Sequence, residues 1–219
     1  MSLNIKIPSI PDKFYPDHVV PQIEDKIKNV IRPKYGKYIN NISKISGVPV
    51  ALIESFIFIE SAGNEKAKSP YATGLMQLSP ATASDVIVKE KGLGRLEKEE
   101  ADILKKYLGS RFSLVEKVKP NQKSLGKTFV TNDDLFKPEF NILVGTILLG
   151  QLTNEFVEGG KLRLDKVITV YNGGRYSKAG RKIISFKGNT NELLAQVPKE
   201  SSDYIKKIMG TNGILDIIV

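Results

Sequence analysis

Residues 52–83 read LIESFIFIESAGNEKAKSPYATGLMQLSPATA, and the fold turns on how this stretch is read. Its first half is an apolar run carrying two acids, Glu54 and Glu60, each followed by a serine. Burying even a merely polar group without a partner costs roughly 2–7 kcal/mol, and a bare carboxylate more. The run is expected to be helical over about residues 49–62. Pro49 suits a first turn, where its missing N–H is not needed, and Gly63–Asn64 is a good C-terminal stop. On such a helix Glu60 lies over Phe56 and Ile57, and Ile53 extends the same face. Glu60 therefore ends an apolar stripe, an environment that raises a carboxyl pKa toward what general acid catalysis near neutral pH needs. Glu54 has Ala51, Ile57 and Phe58 near it, so periodicity alone does not choose between the acids. The second half opens as a loop over residues 65–79. There Gly74 permits a tight backbone near a ligand, and Gln77 offers a donor and an acceptor together. Pro80 then begins another helix.

Working outward, helical patterns dominate. Ile23, Ile27 and Val30 recur at helical spacing over residues 21–30, as do Tyr38, Ile42 and Ile45 over 35–45, where Gly47 supplies the stop. LEKEEADILKKYL (96–108) reads as an exposed amphipathic helix and KPNQKSLGKTFVTNDD (119–134) as a loop. The longest apolar helix is expected over 138–156, with Gly145 and Gly150 letting neighbouring helices approach closely. LDKVITVYNGG (164–174) is a short helix stopped by two glycines. RYSKAGRKIISFKGNTN (175–191) reads as a loop with room for a short hairpin, and ELLAQVP and ESSDYIKKIMG close the chain helically. Residues 1–18, with Pro8, Pro11 and Pro16, read as an extended arm. The fold class is all-α, with one compact domain over 19–219.

The 219 residues are 41% hydrophobic, enough for a real core. No cysteine is present, which excludes disulfides and thiolate metal sites. The one histidine, His18 in YPDHVVP, excludes multi-histidine metal centres and reads as a surface or structural residue. A net charge of +9 implies attraction to polyanions. The lysines are scattered without interleaved aromatics, which argues against nucleic acid as the partner. No apolar run reaches membrane-spanning length, and the N-terminal residues lack the apolar segment of a signal peptide.

The order ES, AGN, EKAKS, PYATGLMQLSPATA resembles the central motif of lytic transglycosylases with the soluble-lytic-transglycosylase (SLT) domain. That family has a lysozyme-like fold related to goose-type lysozymes. Later pieces resemble its motifs in order: DLFKPEFNILVGTILLGQL, VITVYNGG and VPKESSDYIKKIM. The resemblance covers about residues 47–209. Glu65 stands where the family has a loop proline, Gly173 where it has alanine, and Ser201 where it has threonine. The spacing from Ser69 to GLMQ is one residue short, and residues 90–132 read as an insertion.

The resemblance implies a peptidoglycan lytic transglycosylase. It implies that Glu60 is the catalytic acid and then base, cleaving the MurNAc–GlcNAc β-1,4 bond with formation of 1,6-anhydro-MurNAc. Ser69, Met76 (through its backbone) and Gln77 would position the sugars. Tyr171 would lie close to the acid, Asn172 would hold its turn, and Glu200 would bond within the groove floor. Tyr71 and Tyr176 are the candidates for stacking on sugar rings, since tryptophan is absent. No cofactor and no metal is implied. The expected partner is the peptidoglycan glycan strand, with no nucleic acid and no stable membrane insertion, and with phage virion or secretion-apparatus proteins as further partners. The expected place of action is the periplasm or cell wall, with a phage virion or phage lysin as the setting. The alternatives are a hydrolytic goose-type lysozyme and a non-catalytic wall-binding module.

Overall fold

The computed structural model describes residues 10–175 and 177–219. The expected arm over 1–18 therefore lies partly outside the described residues. In chain order the elements are β1 (Ile10–Lys13), α1 (Val20–Lys26), a π-helical turn (Ile27–Ile31), α2 (Arg32–Ser46), α3 (Val50–Ser61) and α4 (Pro80–Gly92). Then come α5 (Lys98–Leu108), a 3-10 turn (Gly109–Phe112), α6 (Ser113–Glu116), α7 (Asn132–Leu135) and α8 (Pro138–Glu155). The chain ends with β2 (Val157–Glu158), β3 (Lys161–Leu162), α9 (Leu164–Gly173), α10 (Lys178–Ile184), α11 (Thr190–Gln196), α12 (Lys199–Met209), β4 (Gly210–Thr211) and α13 (Ile214–Ile218). The fold class is all-α, as the periodicity predicts. The described residues form two compact units, one over Ile27–Leu148 and one built from residues 10–26 together with Leu149–Val219; the division falls within α8.

In the first unit the helix ends follow from their punctuation. α2 stops at Gly47, in the left-handed region at φ 72°, whose N–H returns to the Ser43 carbonyl. α3 stops at Ala62 (φ 48°), with Gly63 next at φ 77°. Gly63 has no room for a side chain: a Cβ there would sit 2.9 Å from Ile31. α4 starts at Ser79, whose hydroxyl accepts from the Thr82 N–H, with Pro80 at the first helical position. α8 is buried at every position from Phe140 to Ile147, as an apolar helix without a polar face must be.

The stretch expected as an insertion is packed into this unit. Leu104, Leu108, Phe112 and Val115 are buried. The Ser84 hydroxyl on α4 accepts from the Phe129 and Val130 N–H groups at 3.0 and 3.1 Å. Arg111 reaches both oxygens of Asp134 (2.6 and 2.9 Å) and the Phe129 carbonyl. Burial works to raise the Asp134 carboxyl pKa, but the bonds from Arg111 and Thr131 outweigh it and hold the pKa low.

In the second unit α9 packs on α10 and α12, and α12 on α11 and α13. β1 pairs in parallel with β4, so residues 10–13 of the expected arm are a strand. The stretch 175–191, expected as a loop, holds α10 instead. Ser177 caps it by accepting from the Gly180 N–H, and Ile183 buries against the unit. The short hairpin lies earlier, at β2–β3, around Gly159 and Gly160 at φ 57° and 76°. Two successive positive φ values suit a tight hairpin turn, and glycine adopts them without steric cost.

Candidate active site

The two acids of α3 have different surroundings. Glu54 is 2% exposed, and Arg32 at the start of α2 holds it with two parallel bonds, Nε to Oε1 and Nη2 to Oε2, both 2.8 Å. Such a fork matches carboxylate geometry and occupies both oxygens. Glu60, in the last turn of α3, is half-buried, and the stripe beneath it (Ile53, Phe56 and Ile57) is fully buried. The apolar environment read for Glu60 is therefore present in the helix itself.

Immediately after Glu60, the Ser61 hydroxyl bonds to the Leu75 carbonyl at 2.8 Å, with the Ile57 carbonyl at 3.1 Å as a second acceptor. This ties the acid-bearing turn to the Gly74–Gln77 loop. The loop is a tight reversal in which Thr73 and Leu78 exchange backbone bonds at 2.9 and 3.2 Å. Gly74, at φ 85°, has no space for a Cβ, which would meet the Asn141 side chain and the Leu135 carbonyl at 2.3 Å. Gln77 is left-handed (φ 44°), a conformation that costs a non-glycine residue roughly 1–3 kcal/mol and persists where the surroundings over-determine it. Here its own side-chain Nε2 donates to the Gly74 carbonyl (2.9 Å) and the Ala67 carbonyl (3.2 Å). The Met76 N–H donates to Asn141 Oδ1 at 2.7 Å.

Ser69 also braces its turn: its hydroxyl oxygen accepts from the Ala72 N–H (3.0 Å) and the Tyr71 N–H (3.2 Å). Tyr71 is thereby presented to solvent, 85% exposed. Glu65, at the family's proline position, lies 3.1 Å from the Tyr35 hydroxyl, which is also 3.1 Å from the Gly63 carbonyl. Burial, aided by the Glu65 charge, pushes the Tyr35 phenol up to about 12.

The structure brings Glu60, Ser69, Met76 and Gln77 into the first unit. Tyr171, Asn172 and Glu200 lie in the second. Tyr171 and Asn172 are half-buried in the last turn of α9, and Glu200 is exposed in the first turn of α12, which packs on α9. Among the described residues an alanine at Gly173 would meet only the Ser177 hydroxyl, at 3.9 Å, an ordinary van der Waals contact. Tyr176 lies outside the described residues. Among the described residues no cluster of three or more His, Asp or Glu side chains could hold a metal ion, and no helix is long and apolar enough to cross a membrane. Sequence reasoning missed Arg32, Ser61 and Asn141. Asn141 had a legible signal, a lone amide inside the apolar run EFNILVG. Arg32, distant in sequence from its partner, had none.

The family model described as the transglycosylase SLT domain matches residues 37–103. Over residues 37–103 the chain thus matches an SLT domain, and the resemblance read from its motifs is borne out there. The matched stretch contains Glu60, Ser69 and the Gly74–Gln77 loop, and it ends before α8, Tyr171 and Glu200. An SLT domain implies lytic transglycosylase activity on peptidoglycan.

Proposed function

We propose that the protein cleaves the MurNAc–GlcNAc β-1,4 bond by a single-acid lyase reaction, with Glu60 as the group that moves the proton. The observation that carries this reading is the division between the two acids. Glu54 has both oxygens engaged by Arg32, whereas Glu60 stands at the helix end and is coupled through Ser61 to the loop. Most glycosidases use two carboxylates; here one serves twice. Protonated Glu60 donates to the glycosidic oxygen, the C1–O bond breaks, and GlcNAc leaves with a free 4-hydroxyl. The substrate's own N-acetyl oxygen stabilises the cationic C1. The Glu60 carboxylate then takes the proton of the muramic C6 hydroxyl as O6 bonds to C1, which closes the anhydro ring. Glu60 ends protonated and no water is consumed.

In this reading Ser69, Gln77 and the Met76 backbone contact the sugars, and the family resemblance assigns substrate contacts to Tyr171, Asn172 and Glu200 as well. Because Gln77 Nε2 is engaged within the loop, its carbonyl oxygen is the atom offered to a sugar amide or hydroxyl. The place of action is where the polymer lies, the periplasm or wall. Mass spectrometry of digested peptidoglycan tests the reaction. Anhydro-muramic ends, one water lighter than reducing ends, are expected. Free reducing ends would instead mean hydrolysis of the goose-lysozyme kind, and uncut glycan would mean a binding module.

A further inference from the structure

Within the first unit the Gly74–Gln77 loop rests on α8, and two α8 residues one turn apart control it. Asn141 is 0% exposed and every polar atom of its amide is used. Oδ1 accepts from the Met76 N–H at 2.7 Å, and Nδ2 donates to the Thr73 carbonyl (3.0 Å) and the Leu135 carbonyl (2.9 Å). Gly145 lies beneath the same loop residue: a Cβ there would stand 2.4 Å from Met76 Sδ and 2.9 Å from Met76 Cβ. The expectation that Gly145 serves helix–helix approach is thus replaced by a more specific role, a recess for the Met76 side chain. Met76 is held by its amide from one side and by its side chain from the other. The flanking residues Gly74 and Gln77 are the two with left-handed backbone. A backbone strained at Gln77 keeps one shape only while such outside contacts dictate it.

We propose that Asn141 and Gly145 are positioning residues for glycan cleavage. They set the loop's sugar-contacting atoms relative to Glu60 without touching substrate, an inference that rests on the function proposed above. Asn141 is specific as an amide, because aspartate in its place would lose both donors and set a carboxylate oxygen against two carbonyls. Gly145 is specific as a glycine, because any side chain pushes Met76, and with it the loop that Ser61 ties to the acid's turn.

The test uses the full chain on soluble, uncrosslinked glycan strands. Gly145→Ala is expected to raise KM and to lower kcat/KM at least tenfold, with the circular dichroism spectrum retained. Asn141→Asp is expected to lower kcat/KM further. Adding Met76→Ala to Gly145→Ala removes the clashing sulfur and should recover most of the KM change. A residue that merely stabilises the fold would lower Tm without moving KM and would not be rescued in this way. Unchanged KM in folded Gly145→Ala, or no rescue by the second substitution, overturns the proposal. Amide hydrogen exchange separates this from a failure of the functional reading. Should the unaltered chain cut no glycan, the Met76 and Leu78 amides must still exchange faster in Gly145→Ala and in Asn141→Asp. Unaltered protection there would refute the positioning role whatever the activity.

Discussion

A helix that carries two acids six residues apart needs a different fate for each, and Arg32 provides it. Glu54 lies deep enough that its charge requires a partner, and the guanidinium fork supplies one while keeping its own outer edge in water. Removing Arg32 would leave an uncompensated buried carboxylate. Arg32→Ala is therefore expected to cost about 3 kcal/mol, the low end for breaking a buried pair because the arginine is partly exposed. Arg32→Ala with Glu54→Leu should recover part of that loss, as urea unfolding would show; a double variant less stable than Arg32→Ala alone would mean that the pair is not what holds α2 to α3. The proposed reaction separates the acids in the opposite sense. General acid–base assistance contributes roughly 10²–10⁴-fold. Glu60→Gln should lower turnover by at least that range with the fold intact, while Glu54→Gln should stay within about tenfold, or ~1.4 kcal/mol of barrier. The reverse pattern would reassign the acid to Glu54 and undo the alignment of the motifs that follow it.

At the scale of elements, α5 carries a conflict that pH can expose. Glu100 is 4% exposed, and its carboxylate accepts from the Glu97 N–H to close a capping box. Burial, reinforced by Glu90, Glu97 and Glu99 against the single backbone bond, raises its pKa to about 7. The unfolded chain binds fewer protons than the folded one between about pH 4.5 and 7. The contribution of Glu100 is thus fully present below about 4.5 and is lost as pH rises through about 7, a change of at most roughly 3 kcal/mol. Asp134, with its pKa held low by Arg111, has the opposite sign and loses its contribution as pH falls through the acid range. Comparing Glu100→Gln with the unaltered chain by urea unfolding from pH 4.5 to 8 isolates the first effect: the difference should grow in favour of glutamine as pH rises. Parallel curves would show that Glu100 ionises freely in the folded chain. The same packing bears on the 90–132 segment. Leu104→Ala should cost about 3 kcal/mol, as a buried leucine does; a loss below about 0.5 kcal/mol would mark the segment as an appendage. Such elements were legible in the sequence where punctuation and periodicity agreed. Gly47, Pro49, Pro80 and Pro138 bounded α2, α3, α4 and α8 correctly. α10 was not legible: its seven residues carry a serine cap but too few apolar positions to show a period, and Gly180 reads as a breaker. The candidate site was legible where its residues are close in sequence, at Glu60 and GLMQ. It was hidden where residues distant in sequence meet, as Arg32 meets Glu54 and Asn141 meets Met76.

For the whole molecule the governing quantity is the net charge of +9, and its distribution is uneven. From Ile27 to Ile53 the chain has Lys28, Arg32, Lys34, Lys37 and Lys44 and no acid at all. On α2, at 100° per residue, Lys34, Lys37 and Lys44 fall within about 80° of one another, opposite the buried Tyr35, Ile39 and Ile42. All three lysines are exposed, and among the described residues none is in an ion pair. Cell-wall polymers are often anionic, so a stripe of this kind should concentrate the protein on insoluble peptidoglycan through screened Coulomb forces. The Debye length is about 8 Å at 0.15 M salt, comparable with the spacing between a surface lysine and a polymer charge. Lytic activity on intact walls should therefore fall as salt rises above ~0.15 M, while cleavage of short soluble glycan strands changes little. Replacing Lys34, Lys37 and Lys44 together by glutamate should lower wall binding at low salt and flatten the salt dependence. These side chains lie on solvent-facing turns, so Tm and the rate on soluble strands should stay close to those of the unaltered chain. Cosedimentation with purified walls across a salt series measures the effect directly. Binding by the triple variant that matches the unaltered chain at every salt concentration would move the electrostatic attachment off α2, and binding indifferent to salt in both would remove net charge as its cause.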